Sequence, residues 1–291
     1  MAFILFCIQS YLKALALISP KLAGRRAYKI FSTPRTRRSI PPWAESVMAN
    51  ADTVELSVEG KAVRAYRWAN EGRPRILLAH GWESRAARLA AWVEPLLDAG
   101  FEVVAYDAPA HGESEGKQTN PKEMVLTMAE LARRVGPIDG CVGHSLGGFS
   151  VLMAASALEK PGFEDVEPDL FRFQRIVAVA GAETGVDAMT MFCHALGLGA
   201  RFVPLVVGAA GEEAGASISS FDIHRTFPEH PIPTLWMHDL EDADVSFESA
   251  QRVAETCPHV TLEQVEGLGH QKIVRDPDIV RRGVEFLSPM T

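Results

Sequence analysis

Residues 138–154 read IDGCVGHSLGGFSVLMA, and this segment decides the fold of the 291-residue chain. Its first five residues are mostly apolar and predict a buried strand, while the apolar spacing after Leu146 predicts a helix. The chain must therefore turn sharply at Ser145, where side chains on the flanking residues would collide with the strand or the helix. Gly143 and Gly147 carry no side chain and fit this turn. The segment predicts a strand, a tight turn and a helix, with the serine hydroxyl at the tip of the turn.

The rest of the chain repeats the alternation of strands and helices. Short apolar runs that suit buried parallel strands occur at Ile76–Ala79, Phe101–Tyr106, Ile138–Val142, Ile176–Ala180 and Thr234–Met237. Helical spacing occurs at Ala86–Leu97, Pro121–Val135, Leu146–Leu158 and Phe247–Glu255. Alternating segments at Thr53–Val58 and Ala62–Trp68 predict an early hairpin. We therefore expect an α/β protein with a mainly parallel sheet and helices on both faces.

Composition excludes several classes of protein. The chain is 47% hydrophobic and 23% charged, which is typical of a globular protein, and its net charge of −8 argues against a nucleic-acid partner. The four cysteines lie far apart with no CxxC pair, so neither a disulfide scaffold nor a zinc site is expected. We expect a reducing, cytoplasmic environment and no bound metal.

Residues 1–42 differ from the remainder, because they contain eight basic side chains and no acidic one. Met1–Ser19 is almost entirely apolar. Three interpretations stay open: a helix packed on the protein body, an element that contacts an anionic membrane surface, or a cleaved targeting segment. We treat 1–42 as a separate N-terminal segment, 43–184 and 233–291 as the two parts of the core domain, and 185–232 as a small helical cap.

The cap interpretation rests on the long stretch between the strands that end at Ala180 and begin at Thr234. Asp187–Gly197 and Arg201–Val207 show helical spacing, and insertions of this length in compact domains are usually functional. Most of the apolar side chains of the cap should pack onto the core. Met189 and Phe192 are candidates for lining a substrate pocket.

Ser145 needs a neighbouring base to become a nucleophile. His270 lies in a glycine-flanked turn after the apolar strand His259–Val265, which places it at the same sheet edge as the serine. Four acidic residues follow the strand that ends at Met237 and compete to orient the imidazole: Asp239, Glu241, Asp242 and Asp244. Asp242 is the preferred candidate and Asp244 is the second.

An ester carbonyl attacked by Ser145 would need backbone donors for its oxyanion. The N–H of Leu146 follows the serine directly, and the N–H of Trp82 lies in the loop after the strand Ile76–Ala79. His80, Gly81 and His144 are expected to shape the substrate site around these donors. Packing is the expected main role of the His144 ring.

These segments together resemble the α/β-hydrolase superfamily. The resemblance rests on His80–Trp82, Asp107–Ser114, Gly143–Gly148, His238–Val245 and Gly269–His270, which occur in the order of the family across residues 53–287. It implies an eight-stranded sheet with one early antiparallel strand and a cap inserted after the sixth strand. It also implies hydrolysis through an acyl-enzyme without a metal or organic cofactor. In the family's acid loop the catalytic aspartate comes four residues after the histidine that ends the strand, which here selects Asp242.

The sequence thus predicts a serine esterase that cleaves small or medium esters with an apolar acyl or aromatic group. Four alternatives share much of this pattern. They are a membrane-associated lipase, an acyltransferase, a C–C bond hydrolase and a ligand-binding homologue without catalysis.

Overall fold

The computed structural model describes residues 2–288, and its centre is one eight-stranded sheet. The strands are β1 (Asp52–Val58), β2 (Lys61–Trp68), β3 (Arg75–Ala79), β4 (Glu102–Tyr106), β5 (Ile138–His144), β6 (Phe171–Val179), β7 (Thr234–Asp239) and β8 (Val260–Val265). Their order across the sheet is β1-β2-β4-β3-β5-β6-β7-β8. Strand β2 runs antiparallel to both of its neighbours, and the remaining pairs are parallel. The predicted α/β architecture is confirmed.

Helices cover both faces of the sheet. They are α1 (Ala2–Ile18), α2 (Pro20–Phe31), α3 (Glu45–Ala49), α4 (Val93–Asp98), α5 (Pro121–Val135), α6 (Leu146–Ser156), α7 (Gly185–Ala195), α8 (Val203–Ala214), α9 (Ile223–Thr226), α10 (Phe247–Thr256), α11 (Gly269–Lys272) and α12 (Pro277–Leu287). One apolar core packs α5, α6 and α10 against the sheet, and a second packs α4 and α12 against its other face. Leu77 and Leu78 are adjacent in β3 and enter different cores, as the alternation of side chains along a strand requires.

Two predicted helices have different bounds in the structure. The helix expected at 86–97 is a 3₁₀ helix at Ala86–Trp92 followed by α4. Pro95 explains the break, because it lacks the N–H that an uninterrupted α-helix from residue 86 would need there. The helix expected at 201–207 begins with a 3₁₀ turn and continues as α8 through the glycine- and alanine-rich tract to Ala214. It ends at Gly215, whose φ of 69° is in the left-handed region.

Helices α1 and α2 form an N-terminal hairpin (residues 2–31) that packs on the insertion (residues 185–232). Leu12 is fully buried and belongs to an apolar cluster with Met189, Phe202 and other side chains of the insertion. The side chain of Ser19 caps α2 by accepting a hydrogen bond from the Leu22 N–H at 3.3 Å. The segment is therefore a packed helix pair, as the first of the three interpretations predicted.

The outer surface of α1 remains apolar. Leu17 and Ile18 are 89% and 84% exposed, and Phe6 is 63% exposed. Within residues 2–288, none of the helices combines the length and the apolar character that a membrane crossing needs.

Candidate active site

Ser145 lies at the carboxyl end of β5, in the middle of the sheet, with φ of 55° and ψ of −122°. A residue with a side chain rarely adopts this conformation, and the surrounding structure must stabilise it. The Ser145 N–H donates to the Val179 carbonyl at 3.0 Å. A Cβ on Gly147 would lie 2.1 Å from the Ala79 carbonyl oxygen, so only glycine permits this approach of α6 to β3. The predicted strand–turn–helix unit is present.

The loop after β3 passes directly beside the serine. A Cβ on Gly81 would lie 2.8 Å from the Ser145 Cβ. The next residue in this loop is Trp82, and Leu146 begins α6 on the other side of the serine. The Leu146 N–H has no partner within its helix because it is the first helical residue. Within residues 2–288, neither of these two N–H groups donates a hydrogen bond, so both are available to a bound ligand.

His270 and Asp242 are joined across two loops. His270 Nδ1 and Asp242 Oδ2 are 2.7 Å apart, and because a carboxylate can only accept, Nδ1 carries the proton. Asp242 Oδ1 accepts hydrogen bonds from the N–H groups of Asp244 and Val245, at 2.8 and 2.9 Å. Burial opposes ionisation of Asp242, but hydrogen bonds from His238 and His270 outweigh burial and hold its pKa below the ordinary value. Asp242 is therefore an anion held in one orientation against the imidazole.

His144 connects the turn at Ser145 to the loop that carries His270. Its Nε2 donates to the His270 carbonyl oxygen at 2.8 Å, and the two ring centroids are 4.9 Å apart. Burial, with a further contribution from His270, lowers the pKa of His144 to about 3. The neutral ring thus acts as a fixed hydrogen-bond donor that holds the backbone of His270 near the serine.

Two residues that the sequence analysis did not assign also position this site. Asp239 Oδ2 accepts hydrogen bonds from the N–H groups of Leu268 and Gly269, at 2.7 and 2.9 Å. These bonds outweigh the effect of burial and lower the pKa of Asp239. His238 Nε2 lies 3.4 Å from Asp242 Oδ2 and 2.9 Å from the Val245 carbonyl oxygen. Both residues end β7. Their place at the carboxyl end of a parallel strand is the sequence feature that could have indicated a role in the site.

Two buried histidines hold the loop that contains Trp82. His80 Nε2 accepts from the Ala108 N–H at 2.9 Å, and its Nδ1 donates to the Gly81 carbonyl at 2.8 Å. His111 Nε2 accepts from the Glu83 N–H at 3.0 Å. Burial is the main cause that lowers the pKa of both rings, which are therefore neutral. His80 supports the loop through the backbone, and its contact with substrate stays a prediction.

A cavity of about 360 Å³ is lined by Leu146, the residue that follows Ser145, whereas Ser145 and His270 are not among its lining residues. Trp82 and Leu146 line it, and Met189 lines it from the insertion. Two lining residues, Tyr28 and Phe31, come from α2 and were not predicted. The remaining lining residues include several apolar side chains of the core domain and the insertion, among them Phe149, Met153, Phe163, Ala188, Ala210 and Phe221.

Of the predicted substrate-binding residues only Met189 lines this cavity, and His80, Gly81, His144 and Phe192 do not. Gly81 and His144 flank Ser145 directly, as described above. The Phe192 ring meets the Phe31 ring edge-on, with centroids 5.2 Å apart. Within residues 2–288, no group of three His, Cys, Asp or Glu side chains is arranged to hold a metal ion.

Comparison with known proteins identifies the family. The model of the alpha/beta hydrolase family matches residues 76–282, which include the turn at Ser145 and the loops of Asp242 and His270. The chain belongs to this family. The α/β-hydrolase resemblance predicted from the sequence is therefore confirmed, and the protein is a hydrolase.

The chain is similar to two named hydrolases and to one solved esterase structure. A pimeloyl-[acyl-carrier protein] methyl ester esterase of Xanthomonas axonopodis is 26% identical over 240 residues, which are 73% of this chain and 94% of that protein. The hydrolase YugF of Bacillus subtilis is 34% identical over 114 residues, 36% of this chain and 39% of that protein. The solved structure of a Pyrococcus furiosus esterase has a TM-score of 0.64 and 20% identity, covering 89% of this chain and 97% of that one.

Proposed function

We propose that this α/β hydrolase is a serine carboxylesterase with Ser145 as nucleophile, His270 as general base and Asp242 as the orienting acid. The observation that carries the proposal is the hydrogen bond from His270 Nδ1 to Asp242 Oδ2, together with the positive φ of Ser145 at the turn after β5. In the neutral imidazole with its proton on Nδ1, His270 Nε2 has a free lone pair and can take a proton. This is the state that a general base requires.

The reaction would proceed in two halves. Ser145 Oγ forms a bond to the ester carbonyl carbon while its proton passes to His270 Nε2, and the N–H groups of Trp82 and Leu146 bind the carbonyl oxygen as it becomes an oxyanion. The bond to the alkoxy oxygen then breaks, and His270 returns the proton to the leaving alcohol. In the second half, water attacks the acyl-enzyme with His270 again as base, and the acid and free Ser145 result.

The cavity favours an apolar acyl group. Leu146, Phe149 and Met153 of α6 line it, and Phe163 and Phe221 do so as well. Its volume is in the lower part of the range for small-molecule sites. The Xanthomonas relative is also named as an esterase. We therefore propose a small or medium carboxylic ester as substrate.

Labelling with a fluorophosphonate probe, followed by mass spectrometry of the modified peptide, tests this assignment. The probe should modify Ser145 and no other serine. Ser145→Ala should lose the label and lower kcat for p-nitrophenyl butyrate by roughly 10³- to 10⁶-fold, whereas the exposed Ser46→Ala should change neither. Full esterase activity in Ser145→Ala would refute the mechanism.

A second candidate function is lipid hydrolysis at an anionic membrane surface. The observation in its favour is the exposed apolar surface of α1, which includes Leu17, Ile18 and Phe6, in a segment with eight basic residues and no acidic one. Such a combination suits binding to anionic headgroups with partial insertion of the apolar side chains. Cosedimentation with phosphatidylglycerol vesicles should then be lost in a Leu17→Ser, Ile18→Ser double variant. Equal recovery of both proteins in the supernatant would reject this candidate.

A further inference from the structure

The N-terminal hairpin precedes the part of the chain that matches the hydrolase family, yet it lies directly over the cavity. The family match begins at residue 76, whereas Tyr28 and Phe31 of α2 line the same cavity as Trp82 and Leu146. The cavity follows α6 from Leu146 to Met153, which is about 10 Å at the rise of an α-helix. The core domain and the insertion form one side of this cavity, and the N-terminal hairpin forms another.

The hairpin is held firmly in this position. A Cβ on Gly24 would lie 2.3 Å from the Leu205 carbonyl oxygen, which shows how closely α2 approaches α8. Ala23 and Ala27 are fully buried in the same contact. Gln9 Nε2 of α1 donates to the Gly197 carbonyl oxygen at 2.5 Å. The close contact between the backbones of α2 and α8 therefore fixes which face of α2 reaches the cavity.

Ion pairs add to this attachment at the edge of the contact. Lys21 Nζ lies 2.7 Å from Glu212 Oε1, and Arg25 lies 2.8 Å from Glu212 Oε2. These groups are largely exposed and add little energy. Both cations face Glu212 of α8, in agreement with the rotation of α2 that the packing sets.

Phe31 occupies the junction between three parts of the molecule. Its ring is stacked on that of Trp82 at 6.2 Å with an interplanar angle of 8°, and it meets the Phe192 ring edge-on at 5.2 Å. Trp82 belongs to the loop that supplies the proposed oxyanion donor, and Phe192 belongs to the insertion. The apolar ring of Phe31 thus fills the space between the loop of Trp82 and the insertion.

Tyr28 lies one turn before Phe31 and is 8% exposed. The two rings are 6.1 Å apart, so they form one continuous aromatic surface along α2. Beyond it, Asn120 Nδ2 donates to Glu213 Oε1 at 3.0 Å, and both residues line the cavity. The aromatic surface therefore covers the apolar part of the cavity. Polar side chains line the cavity beyond it.

We propose that Tyr28 and Phe31 are specificity-determining residues, and that an acyl chain of the ester lies between α2 and α6. This inference rests on the proposed esterase function. The carbonyl oxygen is bound at Trp82 and Leu146, and the chain extends from there along Phe149 and Met153 beneath the two aromatic rings. An acetyl group ends near the carbonyl site and does not reach this surface, whereas an octanoyl chain contacts it.

The test compares p-nitrophenyl esters of acetate and octanoate in full-length variants. Phe31→Ala should lower kcat/KM for octanoate relative to acetate by roughly 10-fold, since an apolar contact of this size discriminates substrates to that extent. Phe31→Leu, which keeps an apolar side chain, should show a smaller loss. The matched control is Leu22→Ala, which removes a partly exposed side chain of the same helix that does not line the cavity. The control comparison uses the ratio of kcat/KM for octanoate to kcat/KM for acetate. The proposal is overturned if this ratio in Phe31→Ala lies within about twofold of the ratio in Leu22→Ala.

A binding measurement separates this inference from the proposed catalysis. Octanoate is titrated calorimetrically into Ser145→Ala protein with and without the Phe31→Ala change. Weaker binding by roughly 10-fold in the double variant supports the acyl site even if Ser145 proves not to be the nucleophile. Equal affinity in both proteins refutes the acyl site while leaving the esterase assignment untouched.

Discussion

His270 Nδ1 donates a hydrogen bond of 2.7 Å to Asp242 Oδ2, and the two residues come from loops that follow the adjacent strands β8 and β7. The parallel pairing of these strands brings their carboxyl ends to the same sheet edge as the turn at Ser145. Each loop is also tied to its neighbour by further bonds: Asp239 accepts from Leu268 and Gly269. The orientation of the imidazole is therefore set by the sheet and not by one contact alone.

The first prediction concerns the identity of the acid. Asp242→Asn should reduce kcat by roughly 10³- to 10⁴-fold, because the amide favours the wrong imidazole tautomer and removes the charge that stabilises the imidazolium. The measurement is steady-state hydrolysis of p-nitrophenyl butyrate. Asp244→Asn is the matched control, since Asp244 is exposed in the same loop and was the second candidate. If the Asp244 variant lost activity and the Asp242 variant kept it, the two assignments would have to be exchanged.

The second prediction concerns Asp239 as a positioning residue. Its carboxylate accepts the N–H groups of Glu241, Leu268 and Gly269, and an asparagine would turn one amide NH₂ towards these donors. Asp239→Asn should lower the free energy of unfolding in urea by about 1–3 kcal/mol. Because the loop of His270 loosens, kcat should fall while KM for the butyrate ester changes little. An unchanged kcat in a measurably destabilised variant would show that the loop is not held for catalysis.

The third prediction is a loss of stability at mildly acidic pH. Burial lowers the pKa of His144 to about 3 and that of His80 well below its ordinary value of 6.5. Below pH 6.5 the unfolded chain binds protons at these histidines and the folded protein does not, so the free energy of unfolding falls as pH decreases. Each histidine should contribute a slope of about 1.4 kcal/mol per pH unit.

Urea unfolding curves between about pH 7 and pH 5 measure this slope. His144→Gln should reduce the slope of the free energy of unfolding against pH by the contribution of one histidine. A slope that stays the same in the His144 variant would mean that this ring is protonated in the folded protein.

The sequence predicts the sheet because its strands are short apolar runs separated by helical spacing, and both signals are local. It also predicts that His270 meets an acidic residue of the loop after β7, since loops after parallel strands meet at one edge of the sheet, and the α/β-hydrolase resemblance selects Asp242 among the four candidates. The contribution of Phe31 could not be predicted in this way. It depends on the docking of the hairpin onto the insertion, and no spacing within residues 20–31 indicates which surface α2 will contact. The role of Asp239 likewise requires the loop at Leu268, which is distant in sequence.

The last prediction concerns the contact between α2 and α8. Gly24→Ala would place a Cβ 2.3 Å from the Leu205 carbonyl oxygen, and because backbone atoms form this contact, the two helices must separate. The free energy of unfolding should fall by about 1–3 kcal/mol. Limited proteolysis should then cut residues 2–31 more rapidly than in the unmodified protein.

Gly208→Ala in α8 is the matched control for this change. A Cβ on Gly208 meets no atom within 4 Å, so the substitution adds helix propensity without a clash. It should stabilise the protein by about 0.5–1 kcal/mol. If the two alanine variants unfolded at the same urea concentration, α2 would not be packed against Leu205 in solution. The octanoate selectivity of Gly24→Ala should also shift in the direction of Phe31→Ala, since both changes withdraw the aromatic surface of α2 from the cavity.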